Sequence, residues 1–260
     1  MAIKIKNAKQ IEGIRKSSQL AAKCLKHLEQ YVKPGVITKE LDQIAADFMK
    51  QHGATSATFG YKGHGVKPFS GHICTSLNDV ICHGVPNDTV LKDGDILNVD
   101  VTTVLNGYYG DTCRMYEVGT GVSDIAKELM AVTKECLRLG LKECYPGNRF
   151  GNIGYVISEY AHSKGYSVVY EFCGHGVGLE FHEEPEVSHI AMKNTGKRMR
   201  PGMIFTIEPM INAGKSRSKV DKSDGWTART IDGELSAQYE HTILITEDGH
   251  DALTDVYGDY

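Results

Sequence analysis

The chain has 260 residues, 41% of them apolar and 24% charged, with 28 glycines and 7 prolines. That length suits one large core or two fused halves, and that balance excludes disordered, collagenous and fibrous chains. With 29 Lys and Arg against 33 Asp and Glu the net charge is −4, too little positive charge for a broad field that holds a phosphate backbone, so specific nucleic-acid binding is not expected.

Ile11, Ile14, Ala21, Leu25 and Leu28 recur at steps of three and four and predict a helix over residues 9–31, closed by Pro34-Gly35. Thr38 reads as the N-cap of a second helix with Leu41, Ile44, Ala45, Phe48 and Met49 on one face and Gly53 at its end. Residues 95–105 read as a strand, Asn106-Gly107 as a two-residue hairpin turn, and 108–118 as the returning strand. Ser123 caps a third helix with the stripe Ile125, Leu129, Val132, Cys136 and Leu139, stopped by Pro146-Gly147; a fourth helix follows over residues 151–164. Residues 205–209 and 239–245 read as further strands. Seven cysteines without a CxxC pair point away from a disulfide framework and from a zinc knuckle. No apolar run reaches the length of a leader core or a membrane span, so a cytoplasmic, reducing location is expected.

The order of these features repeats. Pro34-Gly35, Leu41, Ile44, Phe48 and Gly53 return as Pro146-Gly147, Ile153, Val156, Tyr160 and Gly165. His83-Gly84-Val85 returns as His175-Gly176-Val177, and Gly94, Ile96, Val99 and Asp100 return as Gly202, Ile204, Ile207 and Glu208. Spacing changes while order holds, so the expectation is a single domain over residues 1–260 made of two related halves, 31–120 and 121–250, after an N-terminal helix.

The two-residue turn sets the register of the first hairpin. Leu105 faces Tyr108, Val104 faces Tyr109 and Thr102 faces Asp111, leaving Asp100 and Asp111 as diagonal neighbours on one face, about 7 Å apart at Cβ. Alone, such a pair reads as the solvated face of a hairpin. Glu208, held extended by Pro209, and Glu240 add two acids from other strands, and the repeat puts Glu208 where Asp100 stands in the first half. Four carboxylates converging in a core repel one another and resist desolvation unless cations neutralise them, so divalent metal is the simplest resolution. His175 between Gly174 and Gly176, with its counterpart His83, adds imidazole; an oxygen-rich set with one nitrogen suits manganese, iron, cobalt or zinc. Other motifs fail on spacing. Gly174, Gly176 and Gly178 form GxGxG and not the dinucleotide GxGxxG, His182-Glu183 lacks the second zincin histidine, and Pro209 stands where a P-loop ending in Gly214-Lys215-Ser216 needs its first glycine.

Asn98-Val-Asp100-Val, Tyr109-Gly-Asp111-Thr, Cys173-Gly-His175-Gly-Val-Gly, Phe205-Thr-Ile-Glu208-Pro and Ser236-Ala-Gln-Tyr-Glu240-His-Thr together resemble the type I methionine aminopeptidases, and the match covers nearly the whole chain. The resemblance implies the α+β pita-bread fold, pseudo-twofold halves with an antiparallel sheet backed by helices. It also implies a dinuclear centre, with Asp100 chelating one metal, Asp111 and Glu240 bridging both, and His175 and Glu208 completing the second. The implied activity is removal of the N-terminal methionine from nascent chains, preferentially before a small second residue, by a hydroxide held between the metals that attacks the first peptide bond. Glu208 would relay the proton, His182 would stabilise the carbonyl oxygen as it turns negative, and His83 would hydrogen-bond the scissile amide nitrogen. Tyr61, Cys74, Phe181 and Trp226 would line a methionine pocket; segment 60–71 is longer than the family's short pattern and offers His64 and Phe69 as further lining. Met1-Ala2 has the small second residue the family favours, consistent with self-processing. The rivals are a proline-directed pita-bread aminopeptidase, which usually carries an additional N-terminal domain, and a non-catalytic pita-bread protein that binds ribosomes or nucleic acid, with ligands lost and a basic surface gained. A monomer is expected, with transient ribosome contact at most and no membrane partner.

Overall fold

The computed structural model of the chain describes residues 2–63 and 67–258; Met1 of the self-processing reading and the lining candidate His64 lie outside the described residues. Helix α1 spans Ala8–Leu28 and runs into a single 3-10 turn over Glu29–Tyr31. Asn7 caps it: its side chain accepts from Gln10 N–H, and the Gln10 side chain accepts from Asn7 N–H. Helix α2 is Thr38–Gln51, followed by β1 Thr55–Ser56, β2 Cys74–Leu77, β3 Val80–Cys82 and the long hairpin of β4 Ile96–Leu105 and β5 Tyr108–Glu117. Helices α3 Asp124–Lys142 and α4 Phe150–Ser163 come next, then β6 Ser167–Val168, β7 Gly174–Gly176, β8 Glu183–Val187 and β9 Ile204–Ile207. The remaining strands are β10 Met210–Asn212, β11 Ser218–Val220, β12 Ala228–Thr230, β13 Ser236–Gln238, β14 His241–Ile245 and β15 His250–Ala252.

Two antiparallel sheets position the site. In one, β4 pairs with β5 along one edge and with β2 and β1 along the other; in the second the order is β15-β14-β9-β7-β8. The pleat of β4 sends Leu97, Val99 and Val101 into a core with Leu25, Leu28 and Leu41 of α1 and α2. Asn98, Asp100 and Thr102 therefore point the other way, toward the second sheet, and the Asn98 amide donates to Gln238 O. Behind that sheet, Leu129 and Cys136 of α3 and Ile153 and Ile157 of α4 pack on Phe205, Ile207 and Ile243. Each such fully buried Leu or Ile stabilises the fold by about 1.5–3 kcal/mol relative to exposure. The result is an α+β architecture of antiparallel sheets backed by helices.

The hairpin register is the one its turn dictates: Leu105 opposes Tyr108, Val104 opposes Tyr109 and Thr102 opposes Asp111. Asn106 and Gly107 take φ of 52° and 81°, the left-handed pair that a type I′ turn requires. Matching backbone bonds occur in both halves of the sequence. Gly35 N–H donates to Leu91 O and Gly147 N–H to Met199 O, both at 2.9 Å; Gly94 N–H donates to Val118 O and Gly202 N–H to Ile245 O, at 3.0 and 2.9 Å.

Two local expectations need correction. Thr38 is the first residue of α2 and not its cap: Ile37 holds the N-cap position, with the Glu40 carboxylate accepting from Ile37 N–H, while the Thr38 hydroxyl bonds the backbone of Asn87. Ile125 is 64% exposed and Leu139 only half-buried, because the face of α3 turned to the core runs through Ala126, Leu129, Met130, Leu137 and Leu141. All seven cysteines are free. No helix among the described residues is long and apolar enough to cross a membrane.

Candidate metal centre

The hairpin delivers two of the acids by register alone. Asp100 on β4 lies opposite Cys74 of β2 and Cys113 of β5, and Asp111 on β5 lies opposite Thr102, whose hydroxyl donates to Asp111 Oδ1 at 2.7 Å. The other two acids come from strand ends. Glu208 directly follows β9; Thr206, two residues earlier and so on the same face, donates to its Oε1 at 2.7 Å, and the Gln238 amide donates to its Oε2 at 3.2 Å. His189 Nε2 accepts from Glu208 N–H at 3.1 Å. Glu240 departs from the expected continuous strand over 239–245: it sits in the link between β13 and β14, because β13 pairs with β10 while β14 pairs with β9.

Threonines stitch the two sheets together behind the acids. Thr112 donates to Glu240 O at 2.7 Å, and Thr242 donates to Asp111 O at 2.7 Å while accepting from Asp111 N–H at 3.3 Å. His175, on β7, places Nε2 at 3.6 Å from Asp111 Oδ2 and 3.7 Å from Glu208 Oε1. Its Nδ1 lies 3.0 Å from Gly176 O, so a proton there satisfies the carbonyl and leaves the Nε2 lone pair directed at the acids. Ligand atoms of Asp111, His175 and Glu240 all lie within 4.8 Å of one another.

Electrostatics show what the cluster needs. Burial pushes Asp111 up to about 7, and it pushes Asp100, Glu208 and Glu240 well above the usual carboxylate range, with the charge of Asp111 adding to each of the three. Burial also holds His175 and His83 down to about 4, as neutral imidazoles. Asp100 Oδ1 is buried with no protein hydrogen-bond partner, and an unpaired buried oxygen of this kind costs about 1–3 kcal/mol. Acids that repel one another, an orphaned carboxylate oxygen and a neutral imidazole aimed at them fit a divalent transition-metal cation, which relieves all three penalties together.

The expected pocket residues gather beside this cluster. The His182 ring lies 4.3 Å from that of His175 and 4.1 Å from Phe181, and its Nδ1 is 3.0 Å from the Tyr61 hydroxyl. Tyr61 in turn lies 5.0 Å from Phe181 and 6.2 Å from Trp226, ring to ring. His83 faces Trp226 at 6.5 Å, and it takes a φ of 55°, left-handed for a non-glycine residue. Cys74 is buried on the strand beside Asp100. Of the additional lining candidates, Phe69 is buried edge-on against Trp226 at 5.6 Å, and Trp226 Nε1–H donates to Lys67 O.

Sequence reasoning missed the groups that hold the acids. Thr206 carried a readable signal, its two-residue spacing from Glu208. Gln238 and His189 come from separate segments and carried none, as did Phe172, which sets its edge 5.4 Å from His83 and touches no acid of the cluster.

Metallopeptidase family M24 matches residues 12–247 of the chain. Methionine aminopeptidase A of Synechocystis sp. is 50% identical over 253 residues, 97% of each chain. The crystal structure of methionine aminopeptidase from Rickettsia prowazekii superposes with a TM-score of 0.94 at 45% identity, covering 97% of this chain and 100% of that one. An Xaa-Pro dipeptidase from Bacillus anthracis superposes with a TM-score of 0.77 at 25% identity, and only 62% of that longer chain is covered. Similarity that runs through both sheets and every acid-bearing strand places the chain in metallopeptidase family M24, with its pita-bread α+β fold.

Proposed function

We propose that this metallopeptidase is a methionyl aminopeptidase that removes the N-terminal methionine from nascent proteins and peptides, preferentially when the second residue is small. The observation that carries the reading is the aromatic wall of Tyr61, Phe181 and Trp226 set against the acid and imidazole cluster, with the His182 ring 4.3 Å from His175. A soft apolar wall suits a thioether, because sulfur–aromatic contacts contribute about 0.3–1.5 kcal/mol each.

Asp100, Asp111, His175, Glu208 and Glu240 would hold two divalent ions (cobalt, manganese, iron or zinc). Bound there, such ions supply Lewis acidity and acidify a water toward neutral pH. The protein's own groups do the rest. Thr206 and Gln238 hold the two oxygens of Glu208, which orients its carboxylate to take a proton and return it to the leaving amine. With the Tyr61 hydroxyl donating to Nδ1, His182 carries its proton on Nε2, the atom that would bond the carbonyl oxygen as charge develops there. His83, held neutral by burial, hydrogen-bonds the scissile amide nitrogen and orients it. Cys74, Tyr61, Phe181 and Trp226 exclude water from the bound side chain.

The molecule works as a single domain of two related halves, a reading supported by the paired glycine hydrogen bonds around Gly35 and Gly147 and around Gly94 and Gly202. It acts in the cytoplasm as a monomer, touching the ribosome transiently where nascent chains emerge. A proline-directed peptidase and a non-catalytic binder are not favoured: the first matches at half the identity, and the second has no use for an intact ligand set.

The test is hydrolysis of Met-Ala-Ser, Met-Lys-Ser and Ala-Pro-Ala after reconstitution with each metal, with and without chelator. Methionine release from Met-Ala-Ser, faster than from Met-Lys-Ser and abolished by chelator, is expected. No release under any metal, or preferential cleavage of Ala-Pro-Ala, overturns the reading.

A further inference from the structure

A buried ion pair lies outside the acid cluster, at the base of the segment that carries His182. Lys6 Nζ is 3.0 Å from Glu183 Oε2, and the two side chains are 0% and 2% exposed. Buried pairs of this kind rarely add net stability over apolar residues of the same volume, so their geometry asks for another explanation. Glu183 directly follows His182 and opens β8. Its second oxygen, Oε1, accepts from Leu179 N–H at 2.7 Å and Glu180 N–H at 3.2 Å. One carboxylate thus closes the turn 179–183 on itself, and Phe181 and His182 project from within that closed turn toward Tyr61 and His175.

The other end of the pair is anchored in the backbone. Lys6 N–H donates to Gly202 O at 2.9 Å, and Gly202, at φ 83°, is pressed so closely that a Cβ there would meet Ile5 Cγ2 at 2.8 Å. The strap before α1 is therefore docked two residues ahead of β9, the strand that Glu208 directly follows. From that anchor Lys6 reaches across to the turn. Lys4 adds a second, exposed contact to Glu180 at 2.6 Å.

We propose that Lys6 and Glu183 are positioning residues for His182 and Phe181, with the N-terminal strap locking the 179–183 turn to the β9 side of the site. The inference rests on the reading of His182 as the group that bonds the substrate carbonyl. Glu183 shapes the turn, Lys6 neutralises and holds Glu183, and the imidazole is delivered without either residue touching substrate.

The experiment uses the full chain, metal-loaded, with Met-Ala-Ser as substrate. Lys6→Met and Glu183→Gln are expected to lower kcat about 10- to 100-fold with KM changed less than about threefold, the signature of a misplaced group rather than lost binding. Cobalt binding followed by calorimetry stays at wild-type affinity and stoichiometry, and Lys6→Arg restores most of kcat. Glu183→Gln keeps an oxygen for the two turn amides, so it carries the test if Lys6→Met does not fold. In a His182→Ala background, Lys6→Met is expected to cost almost nothing further, because both changes remove one function. A lowered Tm with kcat intact, or a full multiplicative loss on top of His182→Ala, overturns the proposal. Wild-type turnover in His182→Ala overturns the assignment of His182 and the proposal with it, whereas metal-independent failure on all peptides points to the functional reading instead.

Discussion

The two pairs of acids reach one centre by different routes. Asp100 and Asp111 sit on strands joined by a two-residue turn, while Glu208 and Glu240 flank strands whose connection passes through β10, β11, β12 and β13. The local pairing is nevertheless alike, with Thr102 opposite Asp111 in one case and Ile207 opposite His241 in the other. Closing a short turn costs little entropy, so the first pair is specified by its own segment. The second pair depends on its surroundings: Thr206 and Gln238 hold Glu208, His189 accepts its backbone N–H, and Glu240 hangs in a link tied to Thr112 and Cys113. Equivalent chemistry can therefore rest on local geometry in one half and on tertiary contacts in the other.

The largest expected effect probes what the halves share. Asp111→Asn and Glu240→Gln, one from each route, are each expected to lower kcat/KM by at least ~10³-fold, about 4 kcal/mol of transition-state stabilisation, with weakened metal binding by calorimetry. Near-normal turnover in either would break the equivalence of the two acids.

The hydroxyls give a sharper contrast. Thr102→Val and Thr206→Val each delete a 2.7 Å bond to an acid, and a loss of about 10- to 100-fold in metal affinity is expected for such partners. Thr206 also accepts from His175 N–H at 3.0 Å, so its loss disturbs two groups and should be the more damaging. Equal affinities for the two variants would remove the claim that the second half depends more on its surroundings.

Without metal, the buried acids make stability depend on pH. The folded protein keeps protons on Asp100, Asp111, Glu208 and Glu240 that the unfolded chain releases, so stability falls as pH rises until each folded-state group has titrated, Asp111 at about 7. His83, His175 and His189 act oppositely, being held neutral while the unfolded chain protonates them below 6.5, which confines the clean window to higher pH. In chelator the Tm is expected to drop as pH rises from about 6.5 through about 7, and saturating metal to abolish the drop. A flat Tm in chelator over that window would show that the acids are not buried together.

The smallest effect tests the turn itself. Gly107 has φ 81° and open space around its missing Cβ, so Gly107→Ala pays only backbone strain: about 1 kcal/mol, or about 2–4 °C in Tm, with unchanged turnover.

Much of the fold was legible because it is local. Helix faces follow a period near 3.6, and Asn106-Gly107 admits one register, which sets Asp100 and Asp111 on one face from the sequence alone. The errors were local competitions decided elsewhere. Ile37 took the cap position because Asn87 engages Thr38, and Ile125 stayed outside because the core contacts of α3 start at Ala126. The pocket was legible only through family resemblance: Tyr61, Phe181 and Trp226 lie on three separated segments with no shared periodicity.

By itself, the sequence determined the helices, the hairpin register, the four acids and the histidine with a metal's donor chemistry, because short-range sterics and side-chain type suffice for each. Only the tertiary structure decided that Glu240 leaves its strand, that Thr206, Gln238 and His189 grip Glu208, and that Lys6 reaches Glu183 beneath His182. Those contacts join residues far apart in the chain, and their geometry exists only once two sheets have packed and water has been excluded between them.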